Sequence, residues 1–251
     1  MGKELVYAVA MAGLGTRFSR AGYTLPKYML RAAGATLFEH SLGSLPLEPA
    51  RKIIFIALKE HQERYGLESF ITSALDGICG GAAFRPALEI ILLDGPTRGQ
   101  AETVLKAKDA VPPGAELAIF NIDTKFISDT LLKKLTGPEK KDGVLGSFSL
   151  SAKDPKWSFA RLGPGGLVSE VAEKVQISDN ALTGLYHFTS AEDFFTAASE
   201  AVGGNAPGEL YVAPLYNKLI AAGRSFVLDE ARSVTPLGTP EDLARLVCDG
   251  A

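Results

Sequence analysis

The sequence predicts an α/β fold, a mostly parallel sheet flanked by helices and completed by an antiparallel portion. Three observations predict it. Four apolar runs, at 5–12, 52–58, 88–93 and 116–121, are nearly continuous rather than alternating, as expected of strands covered on both faces. Helical stretches at 36–45, 61–75 and 99–110 separate them and are long enough to be parallel crossovers. From about residue 142 the texture changes to shorter, turn-bounded runs at 143–151, 157–162, 167–173 and 182–188, which read as antiparallel strands around a Gly163–Gly166 turn. Helical patterns return at 191–202 and 209–222, followed by a strand at 225–228 and a last helix from Pro240 with Thr239 as its N-cap.

Composition bounds what this fold does. The chain has 251 residues, 46% of them hydrophobic and 22% charged, which supports a buried core and excludes disorder, collagen and coiled coil. With 26 Lys and Arg against 29 Asp and Glu, the net charge is −3, so neither nucleic acid nor a membrane surface is an expected partner. Cys79 and Cys248 are too few for a disulfide framework and read as intracellular thiols. The apolar run 5–14 has signal-peptide length, but Met1–Glu4 carries no net positive charge; the expectation is a cytoplasmic protein without a membrane span. No Ser- or Pro-rich linker interrupts the chain, which is expected to be one domain over 1–251, with halves of about 1–141 and 142–251.

The most informative stretch follows the first strand: Met11-Ala12-Gly13-Leu14-Gly15-Thr16-Arg17-Phe18, with Pro26-Lys27 beginning nine residues after Arg17. Glycines there let backbone N–H groups approach an anion closely. A dinucleotide fingerprint fails, since Phe18 occupies the third small position and Leu58-Lys59 stand where an acid should end the second strand. No Gly-Lys-Ser/Thr follows, so a Walker A loop fails too. A guanidinium fork and a fixed ammonium suit a triphosphate whose pyrophosphate must leave.

Gly13-Leu14-Gly15-Thr16-Arg17 with Pro26-Lys27 resembles the signature of the nucleotidyltransferases that make nucleotide-activated sugars. The resemblance extends along the chain: Ala33-Gly34 with Thr36-Leu37, Gly95–Ala101, Asn121-Ile122-Asp123, Glu173-Lys174, Gly184-Leu185-Tyr186 and Leu237–Leu243 all resemble family segments. Asp154–Ser158, Ser178–Ala181 and Tyr211–Pro214 resemble a compact subgroup associated with capsule and surface polysaccharide. What the resemblance implies is a Rossmann-like, GT-A-like mixed sheet that binds a nucleoside triphosphate in its first half and a phosphorylated small-molecule acceptor in its second.

It further implies roles. Arg17, Lys27 and Asp123 are the expected catalytic residues, and Asp123 also the ligand of a Mg²⁺ cofactor. Met11, Ala12, Gly13, Leu14, Gly15, Thr16, Gln100 and Asn121 are the expected nucleotide contacts, with Gln100 on the base edge. Glu173, Lys174, Asp179 and Asn180 are expected on the acceptor side; Trp157 reads more simply as packing. Pyrimidine nucleotides, CTP above all, are the expected donors. A second metal aspartate, present in many relatives before the closing Gly-Thr, is missing from Ser233–Leu237. Either Asp123 suffices or Asp229 or Glu230 substitutes, and a non-catalytic nucleotide-binding protein on the same fold is the alternative. Oligomeric state is open, a homo-oligomer included.

Overall fold

A computed structural model of the protein describes residues 3–80, 85–204 and 208–249. One sheet holds nine strands: β1 (Leu5–Ala10), β2 (Ala50–Leu58), β3 (Ala87–Leu93), β4 (Glu116–Asn121), β5 (Gly143–Ser149), β6 (Ser158–Leu162), β7 (Val168–Glu173), β8 (Asn180–Phe188) and β9 (Phe226–Glu230). Their order is β7-β6-β8-β4-β1-β2-β3, and β5 also pairs with β8 and carries β9. Strands β4, β1, β2 and β3 are mutually parallel. β8 runs antiparallel to β4, from Leu185 opposite Phe120 to Phe188 opposite Leu117, and joins the two halves of the chain into one sheet.

The continuous apolar runs have a simple physical origin. Successive residues of β1 enter opposite faces of the sheet: Val6 and Ala8 pack with Ile54, Ile56, Leu117 and Ile119 on one side, while Tyr7 and Val9 pack with Ile53, Phe55, Ala118 and Phe120 on the other. Each large side chain so buried contributes about 1.5–3 kcal/mol. β3 departs from the expectation of two-sided burial. It is the outer strand, and most of it is half-exposed.

Helix boundaries differ more. The stretch 61–75 forms two helices, Lys59–Tyr65 and Leu67–Ile78, because Gly66 adopts the left-handed conformation (φ 62°) that closes the first. The stretch 99–110 is a helix only over Gln100–Leu105, followed by a 3₁₀ turn at Lys108–Ala110. In the stretch 209–222 the helix occupies only Leu215–Ala221. Asn217 on that helix accepts from the Val171 N–H at 2.8 Å and donates to its carbonyl at 2.7 Å, fixing the helix to β7. Thr239 caps the last helix, Pro240–Asp249, reciprocally with Asp242. Among the described residues, no helix is long and apolar enough to cross a membrane.

A pair of short strands the sequence did not announce, Thr124–Ile127 and Ser233–Pro236, runs antiparallel. It brings Leu237 beside Asp123, whose carbonyl accepts the Leu237 N–H at 2.7 Å.

Candidate active site

The carboxyl ends of the parallel strands meet at one edge, where open α/β sheets gather ligands. Chain 11–18 leaves β1 there and is anchored twice. The Met11 N–H donates to Ile56 at 2.7 Å, and Phe18, the residue that rules out a third glycine, is buried with Leu30, Leu37, Leu237 and Leu243 in a small separate cluster. Between these anchors Gly13 and Leu14 are exposed, and the helix Thr16–Arg20 presents Arg17 to solvent.

Pro26 then sets a 3₁₀ turn, Lys27–Met29, whose Tyr28 and Met29 are buried while Lys27 faces outward. The Lys27 ammonium donates to Asp123 Oδ2 at 3.0 Å, with the side chains 23% and 35% exposed. The other carboxylate oxygen of Asp123 takes no hydrogen bond from the described residues. Gly238 sits close by; a Cβ there would lie 3.7 Å from Oδ2.

On the next flank Gln100 opens its helix and donates from Nε2 to Oδ1 of Asn121, at the end of β4. Asn121 is held from behind by Gly184, where a Cβ would come within 2.8 Å of its Nδ2. Gly99 is equally constrained, because its missing Cβ leaves room for the backbone of Leu210 at 2.5 Å. The Leu210 N–H donates to the Arg98 carbonyl at 2.8 Å and its carbonyl accepts from Ala101 at 2.9 Å, so residues 209–211 lie as a strap across the turn before Gln100.

Opposite lie Glu173 and Lys174, at the end of β7. Glu173 accepts from Ser158 on the neighbouring strand. Burial raises its pKa above the usual carboxylate value, against the pull of Ser158 and Lys174. Lys174 takes a left-handed backbone (φ 57°), and its ammonium donates to the Tyr211 hydroxyl, which donates in turn to Glu209. Burial works against the charged form of Lys174, yet Tyr211, Glu209 and Glu173 together hold its pKa above the ordinary lysine value.

One cavity of about 500 Å³ collects these groups: Ala12, Gly13, Leu14, Arg17, Lys27, Gln100, Asn121, Asp123, Glu173 and Lys174 all line it. Met11, Gly15 and Thr16 lie instead on the adjoining cavity behind the glycine loop. Asp179 and Asn180 line neither. In the turn before β8 the Asp179 backbone carbonyl accepts from Leu150 at 2.8 Å and Asn180 Nδ2 donates to Ala160 at 3.2 Å, while the Asp179 side chain is exposed to solvent. Trp157 packs edge-on against Phe148 at 4.9 Å, as expected, and also walls the cavity. Ser158, Tyr186, Glu209 and Tyr211 line the cavity beside Glu173 and Lys174; the first two and Tyr211 fall in segments the resemblance singled out without giving these side chains a role, and Glu209 falls in none.

Neither proposed substitute for a second metal acid reaches the cavity. Asp229 is 1% exposed, accepts from Thr130 at 2.6 Å and lies 3.5 Å from Lys134. Glu230 lines a separate shallow depression with Asp129 and Arg232. Asp242 does line the cavity, but one of its oxygens caps Thr239. Among the described residues no three His, Cys, Asp or Glu side chains cluster as a metal site. The half-open carboxylate of Asp123 fits a hard cation such as Mg²⁺, which commonly takes one or two carboxylates and completes its shell with water and phosphate.

No protein-family model and no curated protein matches the chain. Among solved structures it is similar to a nucleoside-diphosphate-sugar pyrophosphorylase from Vibrio cholerae RC9, with 35% identity, TM-score 0.78, and coverage of 97% of this chain and 99% of that one. Two more distant structures share its fold. An inositol-1-phosphate CTP transferase from T. maritima matches at 15% identity and TM-score 0.75, over 99% of this chain and 97% of that one. A UDP-glucose pyrophosphorylase from Acinetobacter baumannii matches at 14% and 0.70, over 99% and 93%. The similarity to the Vibrio protein spans both chains and the fold carries a glycine loop, a Lys–Asp pair and the Glu173-Lys174 strand end around one cavity: this chain belongs to the nucleotide-sugar pyrophosphorylase family of nucleotidyltransferases.

Proposed function

We propose that the protein joins a pyrimidine nucleoside triphosphate, CTP in preference, to a sugar phosphate or related phosphorylated acceptor, releasing pyrophosphate. The observation that carries this reading is the single cavity with the Lys27–Asp123 pair between a glycine loop and the Glu173-Lys174 strand end. Backbone groups of Ala12, Gly13 and Leu14 cradle the triphosphate, Met11, Gly15 and Thr16 shape the loop from the adjoining cavity, and Gln100 reads the base edge. Arg17 and Lys27 screen its phosphates. Lys174 receives the acceptor phosphate, and Glu173 a hydroxyl of the same molecule.

An acceptor phosphate oxygen attacks the α-phosphorus. The new P–O bond forms as the bridging α–β bond breaks, and pyrophosphate leaves with the electron pair. The nucleophile needs no general base, since a phosphate monoester with a second pKa near 6 is largely dianionic at neutral pH. What the protein must overcome is repulsion between two anions held in line. Arg17 and Lys27 do so from the donor side and Lys174 from the acceptor side. Asp123 would hold Mg²⁺, whose bound charge supplies further neutralisation of the phosphate oxygens.

The subgroup resemblance of Asp154–Ser158, Ser178–Ala181 and Tyr211–Pro214 supports an acceptor destined for surface polysaccharide, made in the cytoplasm where triphosphates are abundant. The test is pyrophosphate release from CTP, UTP, dTTP, ATP and GTP, each with and without Mg²⁺, against a panel of sugar 1-phosphates and phosphorylated polyols and amino alcohols. The expected result is Mg²⁺-dependent release with CTP and one acceptor class. Release with no pair overturns the reading, and preference for UTP or dTTP overturns its choice of base.

A further inference from the structure

We propose that Tyr211 is the positioning residue for Lys174: its hydroxyl holds the ammonium at the acceptor end of the cavity, and Glu209 is the counter-charge that the acceptor phosphate replaces on binding. This rests on the reading above that Lys174 receives that phosphate. Lys174 leaves β7 in a left-handed conformation rarely used by residues with a Cβ, and its N–H, bonded to the Trp157 carbonyl at 3.1 Å, ties its backbone locally. A lysine side chain so placed has four rotatable bonds and no shape of its own. Tyr211 restricts it from across the cavity through the chain Lys174 Nζ to Tyr211 Oη to Glu209. Glu209 lies farther from the ammonium, at 3.9 Å.

The tyrosine is itself rigidly carried. Leu210, its neighbour, is bonded through both backbone groups to Arg98 and Ala101. Farther along the same segment Asn217 is bonded to Val171, on the strand that leads into Lys174. The strap therefore meets the base side at one end and the acceptor strand at the other. A hydroxyl offers its ammonium partner a lone pair without a full charge, so it orients Lys174 without neutralising it. An incoming phosphate dianion then outcompetes the singly charged carboxylate of Glu209, which is half-exposed and bonded to the Tyr211 hydroxyl rather than to the ammonium.

The test needs neither turnover nor a known acceptor. Trace acetylation of the intact protein, with the Lys174 peptide quantified by mass spectrometry against that of exposed Lys59, reads how firmly the ammonium is held, because only the free amine reacts. The groups facing Lys174 are Glu173, Glu209 and Tyr211. Tyr211→Phe and, separately, Glu209→Gln are expected to speed Lys174 labelling about three- to tenfold across the pH profile, up to one pKa unit, with Lys59 and the thermal midpoint unmoved. Inorganic phosphate is expected to slow Lys174 labelling in the wild type and in both variants. Unchanged labelling in Tyr211→Phe overturns the positioning role; failure of inorganic phosphate to protect Lys174 overturns the exchange of counter-charge. With any productive nucleotide–acceptor pair, Tyr211→Phe raises KM for the acceptor about tenfold and leaves KM for the triphosphate unchanged. A fall in kcat with both KM values unmoved also overturns the proposal. Absence of any productive pair fails the parent reading alone, since the labelling experiment still decides this one.

Discussion

One strand carries a lysine–carboxylate pair at each of its ends, and the two pairs are built in opposite ways. Just past the carboxyl end of β4, Asp123 receives one hydrogen bond, from Lys27, and keeps an oxygen open to the cavity. At the amino end Glu116, 5% exposed, receives Lys140 on both oxygens at 2.6 and 2.8 Å and His187 at 3.0 Å. The upper pair is under-satisfied and wet; the lower is saturated and dry. A carboxylate meant to meet a ligand must keep coordination in reserve, whereas one that only closes the bottom of a sheet must spend all of it, because an unpaired buried charge is costly.

The largest expected effect lies at the upper pair. Lys27→Ala is expected to lower kcat for pyrophosphate release by at least about 10²–10³, the typical cost of a lost transition-state donor, while moving stability by about 1 kcal/mol, since the pair is only partly buried and borders the solvent-filled cavity. Turnover within a factor of two of wild type removes Lys27 from the chemistry. The mirror experiment is Lys140→Met. It leaves Glu116 buried without its main partner, so denaturant unfolding should show a loss of about 3–5 kcal/mol with kcat and both KM values unchanged.

Gly99→Ala sharpens the contrast from the side of the strap. Its Cβ would meet the Leu210 backbone at 2.5 Å, and displacing that backbone should cost about 1–3 kcal/mol in thermal unfolding together with a raised KM for both substrates. Undisturbed kinetics would show that the strap tolerates movement.

The smallest effect is in pH. Burial pushes the His187 imidazole below its ordinary value of 6.5, with Glu116 pulling part of the way back. Burial alone would raise Glu116, but hydrogen bonds from His187 and Lys140 and their charges hold it below 4.5. Both groups therefore bind protons more readily in the unfolded chain, so their contribution to stability is present above these values and falls on acidification. The loss begins as pH drops below 6.5 and deepens below 4.5. Denaturant midpoints measured down the pH scale check this; His187→Gln should flatten the first part of the fall.

The sheet was legible because two-sided burial leaves continuous apolar runs, and β4 matches its sequence reading from Glu116 to Asn121. That the glycine loop and Lys27 line one cavity was legible because glycines and a proline-fixed cation fall in one short stretch, and Pro26 announces a held Lys27. The cavity wall carried by residues 209–211 was not. The apolar spacing of the helix at Leu215, Tyr216 and Leu219 continues back through Val212, so the helical pattern runs on past the true start, and Pro214, which disfavours helix in the residue before it, is the signal that Tyr211 lies in an extended strap. Asp179 and Asn180 misled for a different reason, because the residue types that make turns are also those that bind polar ligands. Asp229 shows the same ambiguity buried, where Thr130 and Lys134 claim it.

Asn217 has a consequence for how the molecule behaves in a crowd. β7 is the last strand at its end of the sheet, and such margins recruit strands from strangers and seed aggregates. At Val171 both backbone groups are already occupied by the Asn217 amide, a side chain that imitates a neighbouring strand, so templated growth finds its first rung taken.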